Sequence, residues 1–261
     1  MKVGFIGCGN MGGALARAAA KSGERLYLAD FSGEKAETLA AELGALASDN
    51  KTIAAECDYI FLGVKPQVMA EMLSEIRSVL ENRNDVVLVS MAAGITIEKL
   101  QSLTGNKPVI RIMPNTPAAV GKGMILYTYS GVPQNAVKEF LRFMQAAGRF
   151  DELPEKLIDA GSAVAGCGPA FVCQFVEALA DGGVACGLPR DKALLYAAQT
   201  LYGTAALMLE IGKHPAELKD AVCSPGGSTI QGVRRLEEGA LRADVIDAVI
   251  AAYNKTKELG K

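Results

Sequence analysis

Apolar residues in the first part of the chain come in short unbroken runs rather than in alternation. KVGFI, RLYLAD, DYIFLGV (Asp58–Val64), DVVLVS (Asp85–Ser90) and PVIRIM (Pro108–Met113) are all of this kind. Such a run is a strand buried on both faces, which belongs in a parallel sheet with helices on either side. Helical patterns fill the gaps. Asn10 to Ser22 is a helix of small residues, and Glu34–Leu43 is a second one that Gly44 ends. GMILYTY adds a further strand, expected at the sheet edge. Helix Gln134–Ala147 and the short GRFDEL close this half.

From about Pro154 the strand signal disappears. Pro169–Ala185 is apolar nearly all round, with Gln174, Glu177 and Asp181 as its main polar residues. GLPR (Gly187–Arg190) stops it and starts a second helix of the same character, running to about Ile211. A helix apolar on all sides has to be buried on most of them. The remaining chain offers little core for that, so the missing cover is expected from a second subunit. Within this helical half, CSPGGSTIQG (Cys223–Gly232) is the exception, with a proline, two adjacent glycines and hydroxyls interrupting the pattern.

The composition narrows the function classes. At 261 residues two domains are the expected count. A formal net charge of −2 gives no electrostatic footprint for nucleic acid or an anionic membrane. No single apolar run is read as a membrane span, and the opening segment reads as strand–turn–helix rather than a secretory leader. The six cysteines form no C-x-x-C pair and read as buried, inert thiols in a cytoplasmic protein. His214 is the only histidine, which argues against a zinc site or a Ser-His-Asp triad, and no metal is expected.

GFIGCGNMGGAL carries Gly7-x-Gly9-x-x-Gly12 between a strand and a helix, at the head of a series of βα units. In that context each glycine has a reason. Gly7 allows the tight turn, Gly9 lets backbone approach a pyrophosphate, and Gly12 lets the helix pack closely on the strand. The free amides at the helix start then face the phosphate charge. The expected fold is α/β: an N-terminal doubly wound Rossmann-type parallel sheet over residues 1–153, then an all-α substrate-binding and dimerisation domain over residues 154–261. Asp30 closes the second strand. A carboxylate there accepts bonds from the adenine ribose hydroxyls and repels a 2′-phosphate, which favours NAD; as a plain helix cap it would do neither. Ser32 or Lys35 would receive a 2′-phosphate if Asp30 turned away.

Three loops at predicted strand ends look built for a ligand, since doubly wound sheets bind at the carboxyl ends of their strands. Gly63-Val64-Lys65-Pro66 supplies a cation and a rigid turn. Met91-Ala92-Ala93-Gly94 is small enough for a flat ring to approach. Met113-Pro114-Asn115-Thr116-Pro117 holds an amide and a hydroxyl between two prolines. Each loop has the alternative reading of a structural turn.

GFIGCGNMG, VKP, RIMPNTP, GCGPAF, ADGGVACGLPR and SPGGSTI occur in this order along essentially the whole chain. The pattern resembles the pyrroline-5-carboxylate reductase family. The resemblance implies NAD(P)H-dependent reduction of L-1-pyrroline-5-carboxylate to L-proline, the final step of proline biosynthesis. It also implies an intertwined homodimer that can assemble further. By position, the resemblance puts Gly7, Cys8, Gly9, Asn10, Met11, Gly12, Asn50, Gly63, Val64, Lys65, Pro66, Met91, Ala92 and Ala93 on the cofactor; Asp30, Ser32 and Asn115 join them from the strand-end reading. Ser224, Gly226, Gly227, Ser228 and Thr229 are the expected substrate contacts, with Thr229 the catalytic candidate. The family generally uses NADPH, whereas Asp30 points to NADH. Some members place an acid just before HPAELKD; here Gly212 stands there.

The chemistry is compatible with a site lacking histidine. A cyclic imine is protonated from solvent near neutral pH, and orienting it against the nicotinamide supplies much of the acceleration. Two alternatives carry less. A β-hydroxyacid-type dehydrogenase relies on a lysine in the first long helix after the sheet, and DAGSAVAGCGPAFVCQFVEALADGG has none. A non-catalytic NAD(P)-sensing module would bind cofactor without oxidising it. Ser228 and Gln231 have the S-x-x-Q spacing of a capping box, and Gly226 and Gly227 keep the expected helix start uncrowded. Its amides are then expected to cradle the substrate carboxylate.

Overall fold

A computed structural model of the chain describes residues 1–259. The chain divides into two compact units, Met1–Cys167 with the chain from Ala252 on, and Gly168–Ala251.

The first unit is built on β1 (Lys2–Ile6), β2 (Arg25–Ala29), β3 (Leu46–Ala47), β4 (Tyr59–Leu62), β5 (Val87–Ser90), β6 (Val109–Met113), β7 (Gly123–Ser130) and β8 (Gly148–Glu152). They form one sheet in the order β3-β2-β1-β4-β5-β6-β7-β8. All neighbours are parallel except β6 and β7. The connecting helices are α1 (Asn10–Ala20), α2 (Gly33–Leu43), α3 (Asn50–Glu56), α4 (Pro66–Glu81), α5 (Ile97–Thr104) and α6 (Gln134–Met144).

Alternation along β1 distributes its side chains between two cores. Val3 and Phe5 join Leu15, Phe61, Phe140 and Phe143 on one face. Ile6 joins Ile53, Met69, Leu73 and Ile76 on the other. Phe5 and Phe61 stack at 4.3 Å between ring centroids. The unbroken apolar runs have this physical basis: both faces of each central strand lie under helices.

One edge differs from the sequence reading. GMILYTY is β7, but it lies inside the sheet, because GRFDEL supplies β8 beyond it. Near the expected boundary at residue 153, contacts within the single chain group the next helix with the sheet. Helix α7 (Glu155–Ala165) belongs to the first unit. Its Ile158 packs with Met113 and Leu126, and a Cβ at Gly161 would collide with the Leu126 side chain. The two compact units therefore part after α7, at Cys167.

The second unit contains α8 (Gly168–Ala185), α9 (Arg190–Ile211), α10 (Pro215–Val222) and α11 (Ser228–Glu238), and α12 (Leu241–Leu259) begins in it. Helices α8 and α9 form a hairpin closed by Ala180, Ala193 and Ala197. Gly183 lets the two approach, since a Cβ there would stand 3.3 Å from Ala193 Cβ. Most larger apolar residues of these helices are exposed within the single chain, among them Phe175, Leu195, Tyr202, Leu207 and Ile246.

Two composition-based expectations change here. One stretch, Glu155–Ala185, is long and apolar enough to cross a membrane by length and composition. It is two helices, α7 and α8, separated by a turn at Gly166–Cys167, and α7 is part of the first unit's fold. The cysteines are all free, yet only Cys57 is buried; Cys173 and Cys186 are exposed because they lie on uncovered parts of the helical unit.

Candidate functional site

The chain turns opposite ways after β1 and β4, and the glycine loop lies at this switch point. Gly7 has φ +103, a conformation that disfavours any side chain, and a Cβ on it would lie 2.6 Å from the Gly63 carbonyl. Gly63 is equally constrained, since its Cβ would come within 2.7 Å of Gly7 O. The β1–α1 and β4–α4 loops thus touch backbone to backbone. A Cβ on Gly12 would overlap Gly7 O, while a Cβ on Gly9 would meet no protein atom within 4 Å. Gly9 is the N-cap of α1, which starts with no side-chain cap and no acidic residue in its first turn. Asn10 and Met11 open the helix beyond it. This is an open, uncapped helix start of the kind that receives a pyrophosphate.

Asp30 is the bracket of this loop. Its Oδ2 accepts from Cys8 N at 2.7 Å and its Oδ1 from Ser32 N at 2.9 Å. It does not act as a cap of α2, whose N-cap is Ser32. Burial, with Asp30 close by, pushes the Cys8 thiol up to about 11. Cys8 therefore stays neutral where a thiolate would repel phosphate, and its Sγ donates to Ala29 O. Burial and Asp58 likewise push Cys57 up to about 12.

Gly7, Asp30, Asn50 and Val64 line one cavity of roughly 490 Å³. Ile6, Phe31, Val68, Glu71, Met72 and Glu75 complete its wall. Asn50 is the first residue of α3, whose N-cap Asp49 accepts from Thr52 N, and its amide donates to Glu75 at 2.9 Å. Pro66 and Ala93 line a second cleft, between α4 and the β5–α5 loop. Lys65 is the exposed N-cap of α4, ahead of Pro66 at N1. Met91 is half-buried, and Ala92 is buried with its amide on Ser90 Oγ.

Asn115 is engaged by the protein through both ends of its amide. Its Oδ1 accepts from Met124 N and its Nδ2 donates to Ala165 O, both at 2.9 Å, and it is buried. It braces the loop after β6 to β7 and α7. The neighbouring Arg111 is also buried, and it is paired with Glu155 and Asp159 at 3.1 Å each. Glu155 Oε1 additionally accepts from Ile97 N, the first amide of α5. Nothing local in the sequence signals this triad, because its members are joined only by the fold.

In the second unit, Ser224 to Gly227 form a turn closed by Gly227 N donating to Ser224 O at 3.0 Å. Gly226 takes φ +67, the left-handed conformation that the turn requires. The capping box is not formed. The N-cap is Gly227, in extended conformation and without a side-chain cap, and Ser228 is already helical. Helix α11 starts one residue earlier than the S-x-x-Q spacing implies, so the Ser228 hydroxyl cannot fold forward onto the first amides. Those of Ser228, Thr229 and Ile230 are left without a capping side chain. Thr229 is exposed in this first turn. His214 caps α10, its Nδ1 accepting from Ala216 N, and Gly212 ends α9 in the left-handed conformation.

Comparisons with known proteins agree along the whole chain. Residues 155–259 match the family model described as pyrroline-5-carboxylate reductase dimerisation, and residues 2–94 match that of NADP oxidoreductase, coenzyme F420-dependent. The chain is 41% identical to a pyrroline-5-carboxylate reductase of Arabidopsis thaliana, covering 100% of this chain and 96% of the relative. It is 40% identical to that of Escherichia coli strain K12, covering 100% and 98%. The Plasmodium falciparum pyrroline carboxylate reductase with NADP bound superposes with a TM-score of 0.89 at 33% identity, covering 100% of both chains.

Proposed function

The chain belongs to the pyrroline-5-carboxylate reductase family, and from that premise we propose how its own residues divide the work. It is an NAD(P)H-dependent oxidoreductase of proline biosynthesis that reduces L-1-pyrroline-5-carboxylate to L-proline. The nicotinamide, when bound, supplies the hydride.

We assign the pyrophosphate to the open face of Gly9 and the free amides at the start of α1, with Gly7 and Gly12 shaping the loop. Val64 to Pro66 and Met91 to Ala93 take the nicotinamide end. The observation that carries the substrate reading is the uncapped start of α11 behind the left-handed Gly226. The amides of Ser228, Thr229 and Ile230 hold the substrate carboxylate, and the Thr229 hydroxyl bonds the ring nitrogen. A hydroxyl serves there because it both donates and accepts, meeting the imine or the amine. The ring nitrogen takes its proton from solvent, and no histidine is needed, since His214 is committed to a helix cap.

We further propose a homodimer formed through the helical unit, which accounts for the exposed apolar residues of α8, α9 and α12, and a cytoplasmic location. Thr229→Val tests the site assignment. Loss of one bond made in the transition state costs ~1–3 kcal/mol, which is roughly 5- to 150-fold in the rate of cofactor oxidation with pyrroline-5-carboxylate. Unchanged turnover and unchanged substrate affinity in that variant would remove Thr229 from the site.

A further inference from the structure

Asp30 is not free to turn away from the nucleotide cavity. Both of its oxygens are held by backbone amides, those of Cys8 and Ser32, at 2.7 and 2.9 Å. A carboxylate oxygen offers about two acceptor directions, so each keeps one for a further donor. The carboxylate faces a cavity whose other charged lining residues are Glu71 and Glu75, both on the exposed side of α4. Among the described residues, no lysine or arginine lines it.

Arg17 and Lys35 lie in a separate cleft between α1 and α2. Arg17 there is bound through two nitrogens to Glu42, at 2.7 Å each. Lys35 shares that cleft with Glu34 and Glu42. The start of α2 is no better a phosphate seat, because Glu34 already occupies its first turn. The apolar part of the first cavity has another character. Val64, Val68 and Met72 form its wall, and the Phe31 ring, fully exposed within the chain, stands beside Asp30. A flat base suits such a slot, with an aromatic face on one side.

We propose that this cavity is an adenosine site that selects an unphosphorylated ribose, so that the chain takes NADH in preference to NADPH, with Asp30 as the specificity-determining residue. The inference rests on the reductase reading above for where the cofactor lies. Ribose hydroxyls donate to the two free acceptor directions of Asp30. A 2′-phosphate, carrying about −1.5 to −2 charges at neutral pH, would meet the Asp30 carboxylate in a cavity lined by two further carboxylates and by no lysine or arginine. Phe31 covers the base.

Calorimetric titration of the intact protein with NADH and with NADPH, beside cofactor oxidation assays with pyrroline-5-carboxylate, decides this. NADH is expected to bind about tenfold tighter or more, and the preference shrinks as salt is raised. Asp30→Asn keeps the shape and one acceptor oxygen and should narrow the preference. Because Asp30 also braces the glycine loop, Glu71→Gln on the exposed face of α4 gives the second arm. It should shift the ratio the same way without touching that loop. Equal or tighter binding of NADPH by the unaltered protein overturns the proposal, as does a ratio unmoved by both substitutions; in either case turnover leaves the reductase reading standing. An NADH preference in a protein that turns over neither cofactor with pyrroline-5-carboxylate would instead support the cavity assignment and overturn the reductase reading.

Discussion

Gly9 and Gly12 are the same residue type three positions apart, and the fold uses them for different ends. A methyl group on Gly12 runs into the Gly7 carbonyl, whereas one on Gly9 points into open space. Gly12→Ala should therefore destabilise the protein by about 1–3 kcal/mol, the usual cost of overpacking. Gly9→Ala should leave the melting temperature nearly unchanged while cofactor affinity falls by about tenfold or more. Thermal melts and cofactor titrations of the two variants check this, and a stability loss at Gly9 equal to that at Gly12 would contradict it. Both glycines were readable from their spacing because the loop that needs them is local. Asn115 was not. Its polar character in a proline-bounded loop suggested a ligand contact; the bracing role is invisible there, because its partners within the chain, Met124 and Ala165, become neighbours only through the fold.

At the level of elements, α7 joins the sheet to the ligand loops. Glu155 holds Arg111 on β6 and the first amide of α5, just past the Met91–Ala93 loop. Arg111 is only 3% exposed at its side chain, so weakening Glu155 leaves a buried guanidinium with one carboxylate, Asp159. Glu155→Gln should cost about 1.5–3 kcal/mol, the range for hydrogen bonds to charged groups, as read by urea denaturation. A loss under about 0.5 kcal/mol, the level of ordinary surface changes, would mean that Asp159 alone suffices. Helix α11 shows how finely a helix start matters. The motif S-x-x-Q correctly marked a start, but the helix begins one residue earlier, with Gly227 as cap. That single-residue difference converts a self-satisfied helix end into one with amides free for a ligand.

For the whole molecule, the main unexplained surface of the single chain is the apolar side of the helical unit. Leu195 is 58% exposed, Tyr202 55% and Ile246 58%, a density that isolated soluble chains avoid. The dimerisation family model matches these same residues, which supports the proposed homodimer as their cover. Sedimentation equilibrium at micromolar concentration should give a dimer or a multiple of it, and Leu195→Glu should shift the distribution toward smaller species. A well-folded monomer of the unaltered chain would overturn the homodimer.

The sequence alone determined the features that depend on neighbours in the chain. These are the buried strands and small-residue helix of the nucleotide unit, the three-glycine loop, the acid closing β2, the all-round apolar helices, and the family through motifs in fixed order. Tertiary structure decided what depends on distant groups meeting. It paired Gly7 with Gly63, fastened Asp30 to the Cys8 amide, put β7 inside the sheet, and gave α7 to the first unit. The physical reason is range. Periodicity and backbone sterics act over a few residues and are written locally, while burial and hydrogen-bond partnership are settled only when the whole sheet has closed around them.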